Sequence, residues 1–165
     1  MSINIRKVTI NDLRIISNIH VDTWRNSYKG ILSNNFLANL SYDKQLEKWL
    51  NRLIYDNNNN EFMYLIEYNS EIVGFSSANI TDSYDGYINT IYIKNEYQKK
   101  GLGKKLFLFI KRKLNELGAR RIFLWCFEEN KNKNFYLKLN GRIVNQQIVN
   151  LDNKSIREIQ FVFEY

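Results

Sequence analysis

A strand that runs through a glycine turn straight into an amphipathic helix leaves a chain few ways to fold, and residues 87–117 have that form. Tyr87–Ile93 is rich in Tyr, Ile and Thr, the residues that favour strands. Lys94-Asn95-Glu96-Tyr97 then leads into Gln98-Lys99-Lys100-Gly101-Leu102-Gly103. From Gly103 to Leu117, Leu106, Ile110, Leu114 and Leu117 fall on one helical face, Lys104, Lys105, Lys111 and Lys113 elsewhere, and Gly118 is a natural C-cap. Glycines let backbone come close to a ligand, and the first turn of a helix offers unpaired N–H groups and the positive end of a dipole. With Lys99, Lys100, Lys104 and Lys105 around it, such a turn suits a phosphate. A plain tight turn would use the same glycines. Two other phosphate motifs fit poorly: Lys105 stands where a Walker loop needs Ser or Thr, and Leu106 where a dinucleotide fingerprint needs its third glycine.

The rest of the chain frames that turn. Ile3–Val8 alternates apolar and polar side chains as a half-buried strand does. Thr9 and Asp12 resemble a capping box opening a helix whose Leu13, Ile16, Ile19 and Trp24 lie close to one face. Tyr28-Lys29-Gly30-Ile31 ends it. A second helix around 43–54 places Leu46, Trp49, Leu50 and Leu53 on one side, and the run Asn57–Asn60 reads as a loop. Phe62–Tyr68 and Glu71–Ile80, joined at Asn69-Ser70, form a hairpin. Arg121–Phe127 reads as a strand buried on both faces, Lys131–Leu139 as a short helix stopped by Asn140-Gly141, and Ile143–Val149 and Ile156–Phe163 as closing strands. The order β-α-α-β-β-β-α-β-α-β-β predicts a mixed α/β (α+β) fold with helices packed on a central sheet. With no internal repeat and no linker, 165 residues make one domain, 1–165.

Charge narrows the partners. A net charge of +7 favours anionic ligands. The basic residues are scattered and form no DNA- or RNA-reading motif, so no nucleic acid is expected. The single cysteine, Cys126, lies in the apolar run 122–127, which excludes a disulfide framework and fits a buried, inert thiol in a reducing compartment. No apolar run reaches the roughly 18 residues of a membrane span and the N-terminus lacks a signal peptide's apolar stretch, so a cytoplasmic protein is expected. No metal is expected.

Gln98-x-x-Gly101-x-Gly103, following a strand that carries Ile91-Tyr92-Ile93, resembles the signature of the GNAT superfamily of N-acetyltransferases. The likeness extends to Trp125-Cys126-Phe127-Glu128-Glu129-Asn130 and Phe135-Tyr136-Leu137-Lys138-Leu139, and the element order carries it over essentially the whole chain. The resemblance implies a mostly antiparallel sheet, splayed between strands 4 and 5 and flanked by about four helices. It implies acetyl-CoA as cofactor, with the coenzyme A pyrophosphate on the amides of the turn Gln98, Lys99, Lys100, Gly101, Leu102, Gly103 and Lys104. The pantetheine arm would pair with the main chain near Ile91, Tyr92 and Ile93, with Asn130 bonded to it and Phe135 and Tyr136 beside it. Tyr136 would be the general acid for the departing thiolate as a primary amine of a small molecule or peptide attacks directly. As local readings, Asn130 also suits a helix N-cap and Tyr136 also suits packing beside Phe135.

Many members of that superfamily carry a glutamate early in the central strand, where Tyr87 stands here. Asp82, Asp85 or a water chain could take the amine's proton instead, although both aspartates also suit turns. His20, the only histidine, fits a structural role better than a base. The acceptor region implied by the resemblance, between the first two helices and the strands opposite, makes Trp24, Tyr28, Trp49 and Tyr87 candidate lining residues. The missing glutamate leaves one alternative, an acyl-CoA-binding regulatory module without catalysis. Exposed edge strands near the C-terminus would permit a homodimer.

Overall fold

A computed structural model describes residues 2–55 and 61–165; the asparagine run expected as a loop lies outside them. The strands are β1 Ile3–Lys7, β2 Phe62–Tyr68, β3 Glu71–Ile80, β4 Asp85–Ile93, β5 Arg121–Phe127, β6 Arg142–Leu151 and β7 Lys154–Glu164. They form one sheet in the order β1-β2-β3-β4-β5-β7-β6. Every neighbouring pair is antiparallel except β4 with β5. The helices are α1 Leu13–Ser27, α2 Asn34–Ala38, α3 Tyr42–Tyr55, α4 Leu102–Glu116 and α5 Lys133–Lys138. The mixed fold expected from the element order is therefore present, with five α-helices among the described residues where about four were expected. The addition is α2, whose five residues are too short for an apolar period to register; the Ser33 Oγ caps it by accepting from the Phe36 N–H at 3.1 Å.

Local chemistry sets the ends of these elements. Asn69 and Ser70 adopt φ of 49° and 67°, the mirror-image turn geometry that joins β2 to β3 in register. Asp12 accepts from the Thr9 N–H at 2.8 Å and receives both Arg6 terminal nitrogens at 2.8 and 2.9 Å, which fixes the entry to α1. Gly118, at φ 92°, ends α4 as a left-handed cap.

Helices α4 and α5 cover one face of the sheet. Leu106, Phe107, Ile110 and Leu114 pack there against Ile88, Ile122, Leu124 and Phe161, with Phe135 and Tyr136 of α5 at the margin. Helices α1 and α3 cover the other face, where Ile16, Ile19 and Trp49 meet Leu65 and Phe75. A third, smaller cluster of Leu32, Leu37, Phe127 and Ile156 holds the segment after α1 against the end of β5. Strand β5 alternates buried and half-buried positions, so the expectation that both its faces are buried holds only in part.

Strand β4 carries a bulge. Thr90 pairs with Ser77 and Ile88 with Ala78, leaving Asn89 as the extra residue. The inserted residue shifts the alternation, so that Ile88, Ile91 and Ile93 all reach the α4 core while Tyr92 joins the α1–α3 core.

Candidate functional site

Strands β4 and β5 pair only over Asp85–Tyr87 with Arg121–Phe123, and then diverge. Beyond Tyr87, one edge of β4 faces β5 across a gap, and a strand edge buried in a sheet needs partners for its N–H and C=O groups. The gap is a cleft of about 580 Å³, walled by Ile88–Ile93 on one side and Leu124–Cys126 on the other. Its mouth at the α4 end carries Gln98, Lys99, Gly101, Gly103 and Lys104, and α5 contributes Phe135 and Tyr136.

The glycine turn is shaped by two left-handed residues, Lys99 at φ 60° and Gly101 at φ 80°. A Cβ built on Gly101 would meet nothing within 4 Å, so protein packing does not demand the glycine. The positive φ does, and the space beside it stays open to a ligand. Gln98 donates from Nε2 to the Ile93 carbonyl at 3.0 Å and to Asn95 Oδ1 at 3.1 Å, tying the turn to the end of β4. The first α4 turn, whose leading N–H groups have no intrahelical partner, thus lies at the mouth of the cleft with Lys99 and Lys104.

Away from the turn, the cleft lining includes several hydroxyls and a thiol. Burial pushes the Tyr28 hydroxyl well above its ordinary value, with Tyr92, Tyr136 and Cys126 contributing. It pushes Tyr92 up to about 12, while the bond from Trp24 Nε1 at 2.9 Å works the other way. Burial raises Tyr136 above its ordinary value too, reinforced by Cys126 and Tyr92. Cys126 is pushed up to about 12, again by burial first, so its thiol stays protonated and unreactive at neutral pH.

Asn130 is 6% exposed, and its Oδ1 accepts from the Asn132 N–H at 2.9 Å. This is a local turn preceding α5, not an N-cap: α5 begins at Lys133, and Asn132 stands at its N-cap position without a side-chain capping bond. Asn130 still lines the cleft, with its Nδ2 left for another partner.

Of the residues expected at a cofactor site, Ile91, Tyr92, Ile93, Gln98, Lys99, Gly101, Gly103, Lys104, Asn130, Phe135 and Tyr136 all line this one cleft. Lys100 and Leu102 do not: the Lys100 ammonium lies 4.8 Å from the Tyr97 ring centre, and the Leu102 side chain is in the core. Of the acceptor candidates, Tyr28 lines the cleft. Trp24 lies behind Tyr92 as its hydrogen-bond donor, Trp49 is fully buried against Phe75, and Tyr87 stacks on Phe123 at 5.4 Å where the two strands are still paired. Asp85 is held in a two-bonded pair with Arg121 at 3.1 and 3.0 Å, and Asp82 lies in an exposed turn. Among the described residues no carboxylate lines the cleft.

Thr23, Ser27, Asn89 and Thr90 also line it, and none was anticipated. Thr23 and Ser27 are spaced i, i+4 on α1, a polar pair on an otherwise apolar flank that could have been noticed. Asn89 could not, because a bulge is a property of two paired strands.

Residues 20–141 match the Acetyltransferase (GNAT) family. The chain belongs to this family. It is 29% identical over 138 residues to the N-acetyltransferase YuaI of Bacillus subtilis, covering 81% of this chain and 77% of that protein. To the spermidine N(1)-acetyltransferase of Thermoplasma acidophilum it is 28% identical over 141 residues, covering 84% and 87%. In fold it matches the PaiA N-acetyltransferase of Thermoplasma acidophilum, solved in complex with coenzyme A, at a TM-score of 0.74 and 22% identity over 100% of both chains. The splayed, mostly antiparallel sheet is thus the family's fold in this chain.

Proposed function

We propose that this family member transfers the acetyl group of acetyl-CoA to a primary amine of a small molecule or peptide within the β4–β5 cleft. The observation that carries the proposal is the open edge of β4 leading directly to the glycine turn at the N-terminus of α4. Coenzyme A fits these groups on three counts. Its amide-bearing arm would complete the unpaired stretch near Ile91–Ile93, its pyrophosphate matches the α4 amides with Lys99 and Lys104, and the space beside Gly101 admits a close ligand. Asn130 Nδ2 would bond the arm and Phe135 would pack against it.

Bound there, acetyl-CoA supplies an activated acyl carbon. Tyr136 holds its proton at Oη throughout neutral pH, because burial disfavours the phenolate. The same burial makes it a reluctant full acid, so its contribution is a hydrogen bond offered to a departing sulfur, with transfer completed only as negative charge develops there. With no carboxylate among the described lining residues, the acceptor binds as the free amine. The rate should then rise with pH along the amine's own titration: the ascending limb of kcat/KM moves to lower pH when an amine of lower pKa is used. A limb fixed at one pH across amines would point to a protein base instead.

Gly101→Glu sets a carboxylate where the pyrophosphate would lie. Coenzyme A binding by calorimetry should fall at least about a hundredfold. Stability should fall only by the roughly 1–2 kcal/mol that the left-handed φ costs a non-glycine residue, a cost that Gly101→Ala shares without losing binding as severely. Unchanged affinity removes the turn from the site. The same lack of a lining carboxylate favours a second reading, a module that binds acyl-CoA without turning it over; thiol release on adding amines separates the two.

The one cysteine, free and buried, supports a reducing, cytoplasmic setting. A homodimer through the C-terminal strands draws its support from β6, an edge strand with Ile143, Val144 and Ile148 exposed and a single charged residue, Arg142. Sedimentation at micromolar concentration should give twice the chain mass, and Ile148→Lys should return it to the monomer.

A further inference from the structure

Next to the acceptor side of the cleft stands a carboxylate that is not part of its lining. In an antiparallel pair, residues directly opposite share a face of the sheet, and along one strand the faces alternate. Glu158 of β7 stands opposite Phe127 of β5 and Gln147 of β6, two residues from Ile156. Phe127 and Ile156 belong to the cluster that the segment after α1 covers, so Glu158 lies on the α1 face of the sheet. Tyr28, which lines the cleft, sets its ring 4.9 Å from that of Phe127. A short path therefore runs from the cleft past Tyr28 and Phe127 to Glu158. The carboxylate is felt at the cleft end of this path: burial is the main reason that the Tyr28 hydroxyl and the Cys126 thiol are raised, and the charge of Glu158 adds to both.

Glu158 is half-buried, and its Oε2 accepts from Gln147 Nε2 at 2.8 Å. Among the described residues no Lys or Arg forms an ion pair with it. The cations around it are placed elsewhere. Arg157 pairs with Glu128 at 3.4 Å, Lys154 reaches the Ile31 carbonyl at 3.4 Å, and Lys29 and Lys131 share an adjoining pocket with Glu129 and Gln98. A half-buried carboxylate without a cation, beside aromatic rings, is matched by an ammonium group.

We infer that Glu158 is a specificity residue for the acceptor: it holds the ammonium of a substrate that carries a second cationic group, while the substrate's other amine, uncharged, attacks the acyl carbon in the cleft. Since Glu158 does not line the cleft, it acts on the far end of the acceptor and not as the base for the attacking nitrogen. The rings of Tyr28 and Phe127 suit an apolar stem between the two groups. The inference deepens the acetyl-transfer reading given above and rests on it.

The test compares kcat/KM for 1,4-diaminobutane and n-butylamine, which share one apolar body, at saturating acetyl-CoA in the wild type, Glu158→Gln and Glu158→Asp. The wild type should prefer the diamine at least about tenfold, beyond the roughly twofold that a second amine gives by number alone. Glu158→Gln keeps the shape and an oxygen for Gln147 but removes the charge. It should raise the KM for the diamine about tenfold with the coenzyme A Kd unchanged, bringing the preference down to about twofold. Glu158→Asp, which retains the charge, should recover most of that preference. A Glu158 that served packing alone would affect both amines alike. Equal or better use of n-butylamine by the wild type overturns the inference and leaves acetyl transfer standing. A diamine preference that survives Glu158→Gln overturns the role of Glu158. Failure of every amine to release thiol overturns the functional reading and the inference together.

Discussion

Tyr136 shows how much one side chain's setting adds to its identity. Its motif position suggested an acid near the ordinary tyrosine value, matched to a thiol; its surroundings, with Phe135 at 5.3 Å, Phe161 at 5.5 Å and Cys126 nearby, hold the hydroxyl well above that value. Tyr136→Phe should lower kcat by about tenfold to a hundredfold with little change in coenzyme A affinity, and a wild-type kcat removes it from the chemistry. His20 makes the opposite case. It is packed among Trp24, Trp49 and Tyr92, and burial, with Lys48 and Arg52 adding repulsion, lowers it to about 4. A histidine kept neutral in the folded chain protonates more readily once unfolded, so acid favours unfolding between its ordinary value of 6.5 and about 4. Urea midpoints should therefore fall as pH drops through that window, and His20→Phe should flatten the fall. The structural role read for His20 from its sequence setting agrees with this; for Thr23 the i, i+4 spacing with Ser27 was legible, but that its hydroxyl goes unpaired was not.

Elements explain why the site is where it is. The hairpin at Asn69-Ser70, the helix after the glycine turn and the strand Arg121–Phe127 were legible because turn residues and apolar periods mark them locally. The divergence of β4 from β5, the bulge at Asn89 and the brief α2 were not, since the first two depend on which strands pair and the third is shorter than a period. Gly141 is a local choice with a distant effect: a Cβ there would lie 2.8 Å from the Phe163 ring and 2.9 Å from the Tyr136 carbonyl. Gly141→Ala should cost about 1–3 kcal/mol in stability and lower kcat by displacing α5, measured by denaturation and steady-state rates on one preparation. At the start of α1, the Arg6–Asp12 bonds hold the Asp12 carboxyl far below the ordinary carboxylate range. That stabilisation is present above the unfolded value near 4 and fades as pH falls below it. Asp12→Ala should cost about 1–3 kcal/mol at neutral pH and only modestly less at pH 3, where the folded-state carboxyl is still ionised, the remainder fading further into acid.

At the scale of the whole molecule, two helical layers on a splayed sheet bring the lysine-flanked glycine turn, the open edge of β4 and the side chains of Tyr28 and Tyr136 to one cleft. The net charge of +7 favoured an anionic ligand, and the motif around Gly101 lies at the mouth of the cleft proposed to hold it; the side of the cleft lined by α1 comes from residues far apart in the chain and could be read only after folding. Hydrogen exchange with and without acetyl-CoA tests the placement most directly, because β4 has an unpaired edge facing β5 beyond Tyr87. Added acetyl-CoA should slow exchange in residues 88–93 and 101–104 and leave β1 and β6 unchanged. Binding by calorimetry with no protection in those two segments would place the cofactor elsewhere and contradict the site.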